Sequence, residues 1–396
     1  MRKKQGGMGT RAVWAGEGTP AWEGAAGIPI VRQVAFAYEG VDDWRRVVLG
    51  KAKGHIYSRN TNPTVCAFEE KCRQLEGADA AVSFSTGMAA ISNVFWALLS
   101  PGDRIVSVRD TYGGTSRLFL EFLPRWGVQV ALCDTENHEE IEAEIAAGCK
   151  MLFLETPTNP TLKVLDINRL ARAARRRGAV VAVDNSLATP VNQQPISLGA
   201  DLAVHSATKC LGGHADALGG VVCGRKDLVE RIFRFREIHG AALDPTAAYL
   251  LLRGMKTLHL RVAQQNESAM RIARYLSRHP AVEQVFYPGL PSHRGHEIAC
   301  RQMSGFGCML SFSLRGGLPA VKELLKRLRT CWRAANFGGV ETLVGIPATT
   351  SHVECTAEEM KKLGIPEGLV RYSVGVEDCD DLLADLAQAL GGRRRR

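Results

Sequence analysis

The sequence lacks the features that mark membrane-spanning, disulfide-bonded and zinc-binding proteins. No apolar run approaches the roughly 20 residues that a helix needs to cross a bilayer, and no apolar signal core follows the basic residues 1–10. The eleven cysteines are an odd number, scattered without a C-x-x-C pair or a nearby histidine cluster. Such cysteines are typical of reduced, mostly buried thiols. We therefore expect a soluble, cytoplasmic protein with no membrane partner and no metal site.

Positive charge is in excess, but it is concentrated at the two ends of the chain. The formal net charge is +9, and seven of the basic residues are Arg2, Lys3, Lys4 and Arg393–Arg396. A terminal arginine run is usually a solvated tail, and the rest of the chain is close to neutral. We therefore expect no nucleic-acid-binding face, although binding through the tail stays open as an alternative.

Hydrophobic residues make up 45% of the 396-residue chain, which is ordinary for a globular protein long enough for two domains. Between residues 80 and 225, short β-branched apolar runs alternate with amphipathic stretches. These candidate strands are AAVSF (80–84), RIVSV (104–108), VQVAL (128–132), MLFLE (151–155), VVAVD (180–184), DLAVH (201–205) and GGVVC (219–223). Apolar strands separated by helices predict an α/β fold with a mostly parallel sheet covered on both faces. One such helix is expected to begin at the N-cap Asp166 and to stop at Gly178.

The pattern differs on either side of this region. Residues 1–54 have many Gly and Pro and no sustained period, which fits an arm lying over another subunit or over the large domain. After residue 245, helices and strands in mixed order predict a smaller α+β domain. The candidate elements there are helices at 250–279, 320–329 and 380–390 and strands at 282–287, 309–314 and 369–376. The predicted domains are the arm 1–54, a large domain 55–244 and a small domain 245–396 that includes the basic tail.

The segment HSATKCLGGHADALGG (205–220) carries the most informative chemistry. Lys209 follows a candidate strand and is flanked by hydroxyl residues and glycines. An amine that attacks an aldehyde must be neutral, so its pKa has to fall from ~10.4 toward ~7–8. Ser206 and Thr208 can donate hydroxyl hydrogen bonds to a phosphate beside it. The alternative is a surface lysine in a glycine-rich loop, and this segment alone does not decide between the two.

Two further segments lie where an open α/β sheet places its ligand site. Asp184 ends the strand VVAVD, where a carboxylate can pair with a protonated pyridine nitrogen; a turn residue or helix cap is the alternative. Ser85-Thr86-Gly87-Met88 opens a predicted helix whose free N–H groups can bind a phosphate, and Gly87 permits close approach. An ordinary capped helix start is the alternative there.

Three single residues are further candidates. Tyr112 follows the strand RIVSV and can stack on a flat aromatic cofactor, but an isolated aromatic is more often part of the core. Asn159 can bond a ring hydroxyl, or it is simply a turn residue before Pro160. Arg371 lies in an otherwise apolar strand, so its charge needs a partner. A substrate carboxylate held by two hydrogen bonds is a natural partner, and an internal salt bridge is the alternative.

Together these motifs closely resemble the Cys/Met-metabolism family of pyridoxal-phosphate (PLP) enzymes. The family includes cystathionine γ-synthase, cystathionine γ-lyase, methionine γ-lyase and the O-acylhomoserine sulfhydrylases. The matching segments are YSRNTNPT (57–64), SFSTGMAA (83–90), DTYGGT (110–115), ETPTNPT (155–161), VDN (183–185), HSATK (205–209), LLLRGMKTL (250–258), YPGLPSH (287–293) and RYSVGVED (371–378). They run in the family's order over nearly the whole chain, an agreement that chance does not produce.

The resemblance implies PLP-dependent transferase fold type I (aspartate aminotransferase-like), with an arm, a large PLP domain and a small C-terminal domain. It implies a homotetramer of two catalytic dimers, with active sites shared across a dimer interface. Lys209 would form the Schiff base with PLP and shuttle protons, Asp184 would hold the pyridinium, and Tyr112 would stack on the ring and act as acid or base. The remaining implied contacts are Gly87, Met88, Ser206 and Thr208 to the phosphate, Tyr57 and Arg59 to the phosphate of the neighbouring subunit, Asn159 to the ring hydroxyl and the substrate, and Arg371 and Asn336 to the substrate carboxylate.

Four positions depart from common family patterns. Cys210 stands where an aromatic commonly follows the lysine, and Asn336-Phe-Gly-Gly replaces Ser-Leu-Gly-Gly. Ala335 stands where cystathionine-cleaving relatives often carry Glu, and Gly114 stands where methionine γ-lyases tend to have Cys. These departures leave cofactor binding intact and put the substrate in question.

The leading hypothesis is PLP-dependent γ-replacement on an O-activated homoserine or a similar C4 amino acid, with a thiol or another nucleophile. Ala335 and Gly114 favour it modestly. The alternative is γ- or β-elimination of cystathionine, methionine or a related amino acid, and Asn336 leaves a specialised biosynthetic role open. A non-catalytic binding protein is a third alternative, against which the intact Lys209, Asp184 and Tyr112 argue.

Overall fold

The computed structural model describes residues 6–17, 24–349, 358, 360 and 363–391. The tail Arg393–Arg396 and the basic residues Arg2, Lys3 and Lys4 lie outside these residues. The chain divides into two compact units: unit 1 comprises residues 1–98 and 202–259, and unit 2 comprises residues 99–201 and 260–396. The predicted arm, large domain and small domain stay a prediction.

The elements follow in chain order. The strands are β1 (Ala80–Phe84), β2 (Arg104–Val108), β3 (Gln129–Cys133), β4 (Met151–Glu155), β5 (Val180–Asp184), β6 (Leu202–Ser206), β7 (Gly220–Gly224), β8 (Val282–Phe286), β9 (Met309–Leu314), β10 (Trp332–Arg333), β11 (Leu343–Gly345) and β12 (Leu369–Ser373). The helices are α1 (Met8–Trp14), α2 (Val41–Val48), α3 (Pro63–Glu76), α4 (Gly87–Leu98), α5 (Gly113–Arg117), α6 (Leu123–Arg125), α7 (His138–Ala146), α8 (Ile167–Arg175), α9 (Thr189–Asn192), α10 (Lys226–His239), α11 (Pro245–Met255), α12 (Leu258–Leu276), α13 (His296–Gln302), α14 (Gly317–Arg327) and α15 (Cys379–Ala389). A π-helical turn (Leu118–Phe122) and a 3-10 turn (Pro347–Thr349) complete the described elements.

In unit 1, three strands pair antiparallel in the order β1-β7-β6. Helix α3 begins where the Asn62 side chain accepts the N–H groups of Thr64 and Val65, and Pro63 occupies its first turn. It ends at Gly77, whose φ of 69° is a left-handed conformation that favours glycine. The cap and the glycine therefore set the length of the helix that begins within the YSRNTNPT motif.

In unit 2, four strands pair parallel in the order β5-β4-β2-β3. Each residue of β4 is buried, as an inner strand of a covered parallel sheet requires. Because parallel strands run in one direction, the carboxyl ends of β2, β4 and β5 lie at the same edge. This edge carries the loops that follow Val108, Glu155 and Asp184.

Unit 2 also contains a five-stranded sheet in the order β10-β11-β12-β9-β8. The buried side chains of its strands pack with those of helices α12, α14 and α15 in one hydrophobic cluster that includes Leu310, Phe312, Val370 and Tyr372. Arg371 lies on β12 between these two apolar neighbours, opposite Ser311 of β9 and Gly345 of β11. Strand β12 therefore presents a charged residue from the middle of a packed sheet.

Most of the elements predicted from the sequence are confirmed to within a few residues, and the fold is α/β as expected. Helix α8 begins at the expected N-cap, where the Asp166 carboxylate accepts the Arg169 N–H at 2.9 Å, but it ends at Arg175 before Gly178. The continuous helix predicted at 250–279 is wrong, because the helix breaks between α11 and α12. There the Thr257 hydroxyl donates to the Gly254 carbonyl at 3.2 Å, in competition with the backbone ladder.

Two features were not predicted. The arm contains the short helices α1 and α2, and the antiparallel strand β7 lies between β1 and β6. The described residues include no helix that combines the length and the apolar character needed to span a membrane. The described cysteines form no disulfide, and Cys300 is exposed.

Candidate active site

The start of helix α4 lies against the end of strand β6 in unit 1. A methyl group at Gly87 would lie 2.6 Å from Cβ and 2.8 Å from Oγ of Ser206, so only glycine fits there without a shift. The Thr86 hydroxyl accepts the Ala89 N–H at 3.0 Å and caps the helix. In the part of the chain that the structure describes, the N–H groups of Gly87 and Met88 have no acceptor. Two backbone donors beside a serine hydroxyl at a helix N-terminus are a donor set that fits a phosphate.

Lys209 lies in a tight turn that follows strand β6. Its N–H donates to the Ser206 carbonyl at 3.2 Å, and its own carbonyl accepts the Gly213 N–H at 2.8 Å. The Thr208 hydroxyl accepts the Gly219 N–H at 3.1 Å across the loop. The side chain of Lys209 is half-buried. The turn therefore fixes the backbone of Lys209, which does not resemble a lysine in a loose surface loop.

Tyr57 and Arg59 lie in an exposed segment of unit 1. The Arg59 guanidinium stands over the Tyr57 ring, 5.1 Å from its centre, and the Tyr57 side chain is 41% exposed. Below them the buried Arg236 donates to the carbonyls of Ser83, at 3.0 Å, and of Asn60. Arg236 thus ties this segment to the end of β1. Arg236 was not predicted as a functional residue, because it is one of several basic residues on an amphipathic helix.

In unit 2, two acidic residues end adjacent parallel strands. Glu155 of β4 and Asp184 of β5 are partners in the strand register. Asp184 accepts the Ser186 N–H at 2.9 Å, and Glu155 accepts the Tyr112 N–H at 2.7 Å. Burial raises the pKa of the Glu155 carboxyl well above its usual range, and the nearby Asp184 carboxylate raises it further. The residue appears in the quoted ETPTNPT motif, but sequence reasoning assigned it no role.

Tyr112 is the residue that precedes helix α5. Its side chain is 46% exposed, so it is not the core aromatic that was the alternative. A flat, half-exposed ring at the ligand-binding edge of a parallel sheet has a face on which a planar group can stack.

Unit 2 brings Asn159, Asn336 and Arg371 together. The Arg371 guanidinium donates to Oδ1 of Asn159 at 3.4 Å and to the carbonyl of Asn336 at 3.3 Å, both long bonds. Arg371 is 5% exposed, and burial lowers the pKa of its guanidinium. No carboxylate among the described residues contributes to this shift, so an internal salt bridge of Arg371 is not present among them. A buried guanidinium with two weak partners is suited to a small carboxylate ligand.

The family model described as "Cys/Met metabolism PLP-dependent enzyme" matches residues 9–391. An L-methionine gamma-lyase of Fusobacterium nucleatum subsp. polymorphum is 41% identical over 394 residues, covering 98% of this chain and 99% of the relative. A cystathionine gamma-synthase of Mycobacterium bovis is 41% identical over 386 residues, covering 97% of each. A crystal structure of cystathionine gamma synthase from Xanthomonas oryzae pv. oryzae in complex with cystathionine has a TM-score of 0.92 at 38% identity, covering 97% of each chain.

Proposed function

The chain belongs to the Cys/Met metabolism family of PLP-dependent enzymes, and from that premise we propose that it catalyses γ-replacement on an O-activated homoserine or a similar C4 amino acid. A thiol is the proposed nucleophile. The observation that carries the proposal is the buried Arg371 guanidinium beside Asn159 and Asn336, which is suited to the carboxylate of an amino-acid substrate. Ala335, next to Asn336, is exposed and places no acid at the position where cystathionine-cleaving relatives often carry one.

Pyridoxal phosphate, when bound, supplies an aldehyde for the substrate amine and a ring that withdraws electrons from the substrate carbon atoms. Lys209 would hold the aldehyde carbon through its Nζ atom. The residues that would hold the phosphate are Gly87, Met88, Ser206 and Thr208. The backbone donors at the start of α4 and the contact of Gly87 with Ser206 support this assignment.

The chain's own groups divide the remaining work. The Asp184 carboxylate would keep the ring nitrogen protonated, and the Tyr112 side chain would stack on the ring. The Nζ amine of Lys209 would accept and return protons at the Cα and Cβ atoms of the substrate. Asn159 would donate to the ring hydroxyl, while Arg371 and Asn336 would hold the carboxylate. These groups orient the γ substituent for departure and a thiol for addition at Cγ.

We also propose a homo-oligomer, with Tyr57 and Arg59 serving the phosphate site of a neighbouring subunit. Helix α2 has no buried residue, and it exposes Val41, Trp44 and Val48 at a spacing that puts them on one helix face. A contiguous apolar face on a single chain is typical of a protein interface. The family's tetramer is the assembly we propose.

The test is to incubate the protein with PLP and one of five substrates, with and without cysteine, and to identify the products by mass. The substrates are O-acetyl-, O-succinyl- and O-phosphohomoserine, cystathionine and methionine. We expect a thioether that contains both carbon skeletons, formed from an activated homoserine only when cysteine is present. A reaction mixture without protein controls for spontaneous acyl transfer. Faster formation of a 2-oxo acid and ammonia from methionine or cystathionine would contradict replacement.

Elimination is the second candidate, and one observation favours it. Several relatives at 41–42% identity are L-methionine gamma-lyases, and a cystathionine gamma-lyase of Bacillus subtilis is 42% identical. The side chains of Lys209, Asp184 and Arg371 would serve elimination as well as replacement. The two reactions differ only in whether a nucleophile adds at Cγ. The five-substrate experiment separates them by product.

A further inference from the structure

Glu155 is a buried acid for which the proposed function has no use. It ends strand β4, whose other residues are apolar, and it is 8% exposed. A carboxyl group in such a position is costly unless its oxygen atoms are hydrogen-bonded. Its partners therefore indicate what it does.

Those partners include the backbone of a proposed site residue. Oε2 of Glu155 accepts the Tyr112 N–H at 2.7 Å. Asp184, the proposed partner of the ring nitrogen, is the register neighbour of Glu155 on β5. One side chain thus contacts Tyr112 directly and lies beside Asp184.

The charges around Glu155 bear on its ionisation state. Asp184 faces it from β5, and Asp110 faces it from the loop after β2. Asp110 is paired with Lys163 at 3.0 Å, which offsets part of its charge. Burial and these two acids raise the pKa of Glu155, while the backbone N–H of Tyr112 acts in the opposite direction and is outweighed. The environment favours the neutral acid.

We propose that Glu155 is a positioning residue that, as an uncharged carboxyl group, fixes the backbone of Tyr112 and leaves the negative charge of the pair to Asp184. The inference rests on the proposed function for the roles of Tyr112 and Asp184. The neutral state of Glu155 matters for the proposed role of Asp184. If Glu155 were ionised, its buried carboxylate would repel the Asp184 charge and oppose the ionisation of Asp184.

The first test measures backbone hydrogen exchange in Glu155→Gln and Glu155→Leu, without added cofactor. Glutamine keeps an acceptor oxygen and the neutral charge, whereas leucine keeps only the volume. We expect the Tyr112 amide to exchange at the wild-type rate in the Gln variant and at least about five-fold faster in the Leu variant, since it loses its hydrogen bond there. Glu139→Gln, on the exposed face of α7, is the matched control for loss of a unit 2 carboxylate.

Equal exchange in the Leu variant and the wild type would overturn the positioning role. If the Leu variant does not fold, Glu155→Asn replaces it, because its amide is one methylene shorter and is withdrawn from the Tyr112 N–H. Faster exchange in the Asn variant then supports the proposal, and a wild-type rate overturns it.

The second test examines the charge. The visible absorbance of the PLP-loaded protein is titrated between pH 6 and pH 9 in the wild type and in Glu155→Gln. A neutral Glu155 predicts the same midpoint in both proteins, whereas removal of a true carboxylate would shift the midpoint by about one pH unit. A shift of that size overturns the charge assignment. If the wild type binds no PLP, the proposed function fails, while the exchange experiment still decides the positioning role.

Discussion

The proposed cofactor residues of unit 1 and the proposed substrate residues of unit 2 differ in their physical chemistry. In unit 1 the start of α4 is arranged by space and by backbone donors, since Gly87 lies against Ser206 and the N–H groups of Gly87 and Met88 have no acceptor among the described residues. In unit 2 the important groups are buried ionisable side chains, with Glu155 and Arg371 both less than a tenth exposed. A phosphate site can be built from neutral donors, whereas a buried charge has to wait for a ligand of opposite sign.

The difference implies two kinds of sensitivity to substitution. Residues of unit 1 should respond to changes of size, and apart from Lys209 their effects should fall on cofactor affinity. Residues of unit 2 should respond to changes of charge and hydrogen-bond geometry, and the effect of Arg371 should fall on the substrate. Three substitutions test this distinction, and their expected effects decrease from Lys209→Ala through Arg371→Lys to Gly87→Ala.

Lys209→Ala should cause the largest loss, because this is the one unit 1 residue whose proposed role is chemical. Acid-base catalysis alone contributes on the order of 10²–10⁴-fold, so turnover should fall at least to that extent. We expect the purified wild type to be yellow and the variant to lose cofactor on dialysis. Both properties are measured by visible absorbance and by turnover of the substrate that the product experiment identifies.

Lys226→Ala is the control for the lysine substitution, because Lys226 is exposed at the start of α10. An unchanged rate in Lys209→Ala would remove the residue from the chemistry. The remaining proposed roles of unit 1 residues would then all be in cofactor binding.

Arg371→Lys should raise KM by about 10- to 150-fold, which corresponds to about 1.5–3 kcal/mol for a lost hydrogen bond to a charged group. Lysine keeps the positive charge but cannot reproduce the planar pair of donors that a carboxylate accepts. The expected change in kcat is small, because the carboxylate is held equally before and during the reaction. Steady-state kinetics with the identified substrate provide the measurement.

Arg278→Lys, on the exposed surface after α12, controls for the general effect of this substitution. Unaltered kinetics in Arg371→Lys would take Arg371 out of the substrate site. A fall in kcat at constant KM would mean that its buried charge acts on the reaction itself, which would break the proposed distinction between the units.

The fold was predictable wherever a pattern of neighbouring residues determines the element. Fully apolar runs such as MLFLE are confirmed as strands, and Asp166 caps its helix as expected. The antiparallel direction of β7 was not predictable, because an apolar run does not encode the direction in which it pairs. At the break after Met255 the hydroxyl and the N–H of Thr257 both donate to the Gly254 carbonyl, and a helical periodicity does not register such bonds.

The same limit applies to the site. Lys209, Asp184 and Gly87 stand out because each follows or precedes a strand in a recognisable motif. The contact of Arg371 with Asn159 and Asn336 joins three distant segments, and only the packed sheets bring them together. No sequence pattern marked Glu155 or Arg236 as functional, because an acid at a strand end and an arginine on a charged helix are both common. Their burial in the structure is what distinguishes them.

Gly87→Ala should have the smallest effect of the three substitutions and tests the unit 1 side of the comparison most directly. The added methyl group would lie 2.6 Å from Cβ and 3.0 Å from Cα of Ser206, so α4 and β6 have to separate slightly. A shift of this kind costs about 1 kcal/mol at the low end of overpacking, which corresponds to about five-fold weaker PLP binding. Pyridoxal, which lacks the phosphate, should bind equally to both proteins in an equilibrium titration. Gly27→Ala, where an added methyl group meets open space, is the control. An equal loss for PLP and pyridoxal would mean that the helix start supports the fold and not the phosphate, because only the phosphate distinguishes the two ligands.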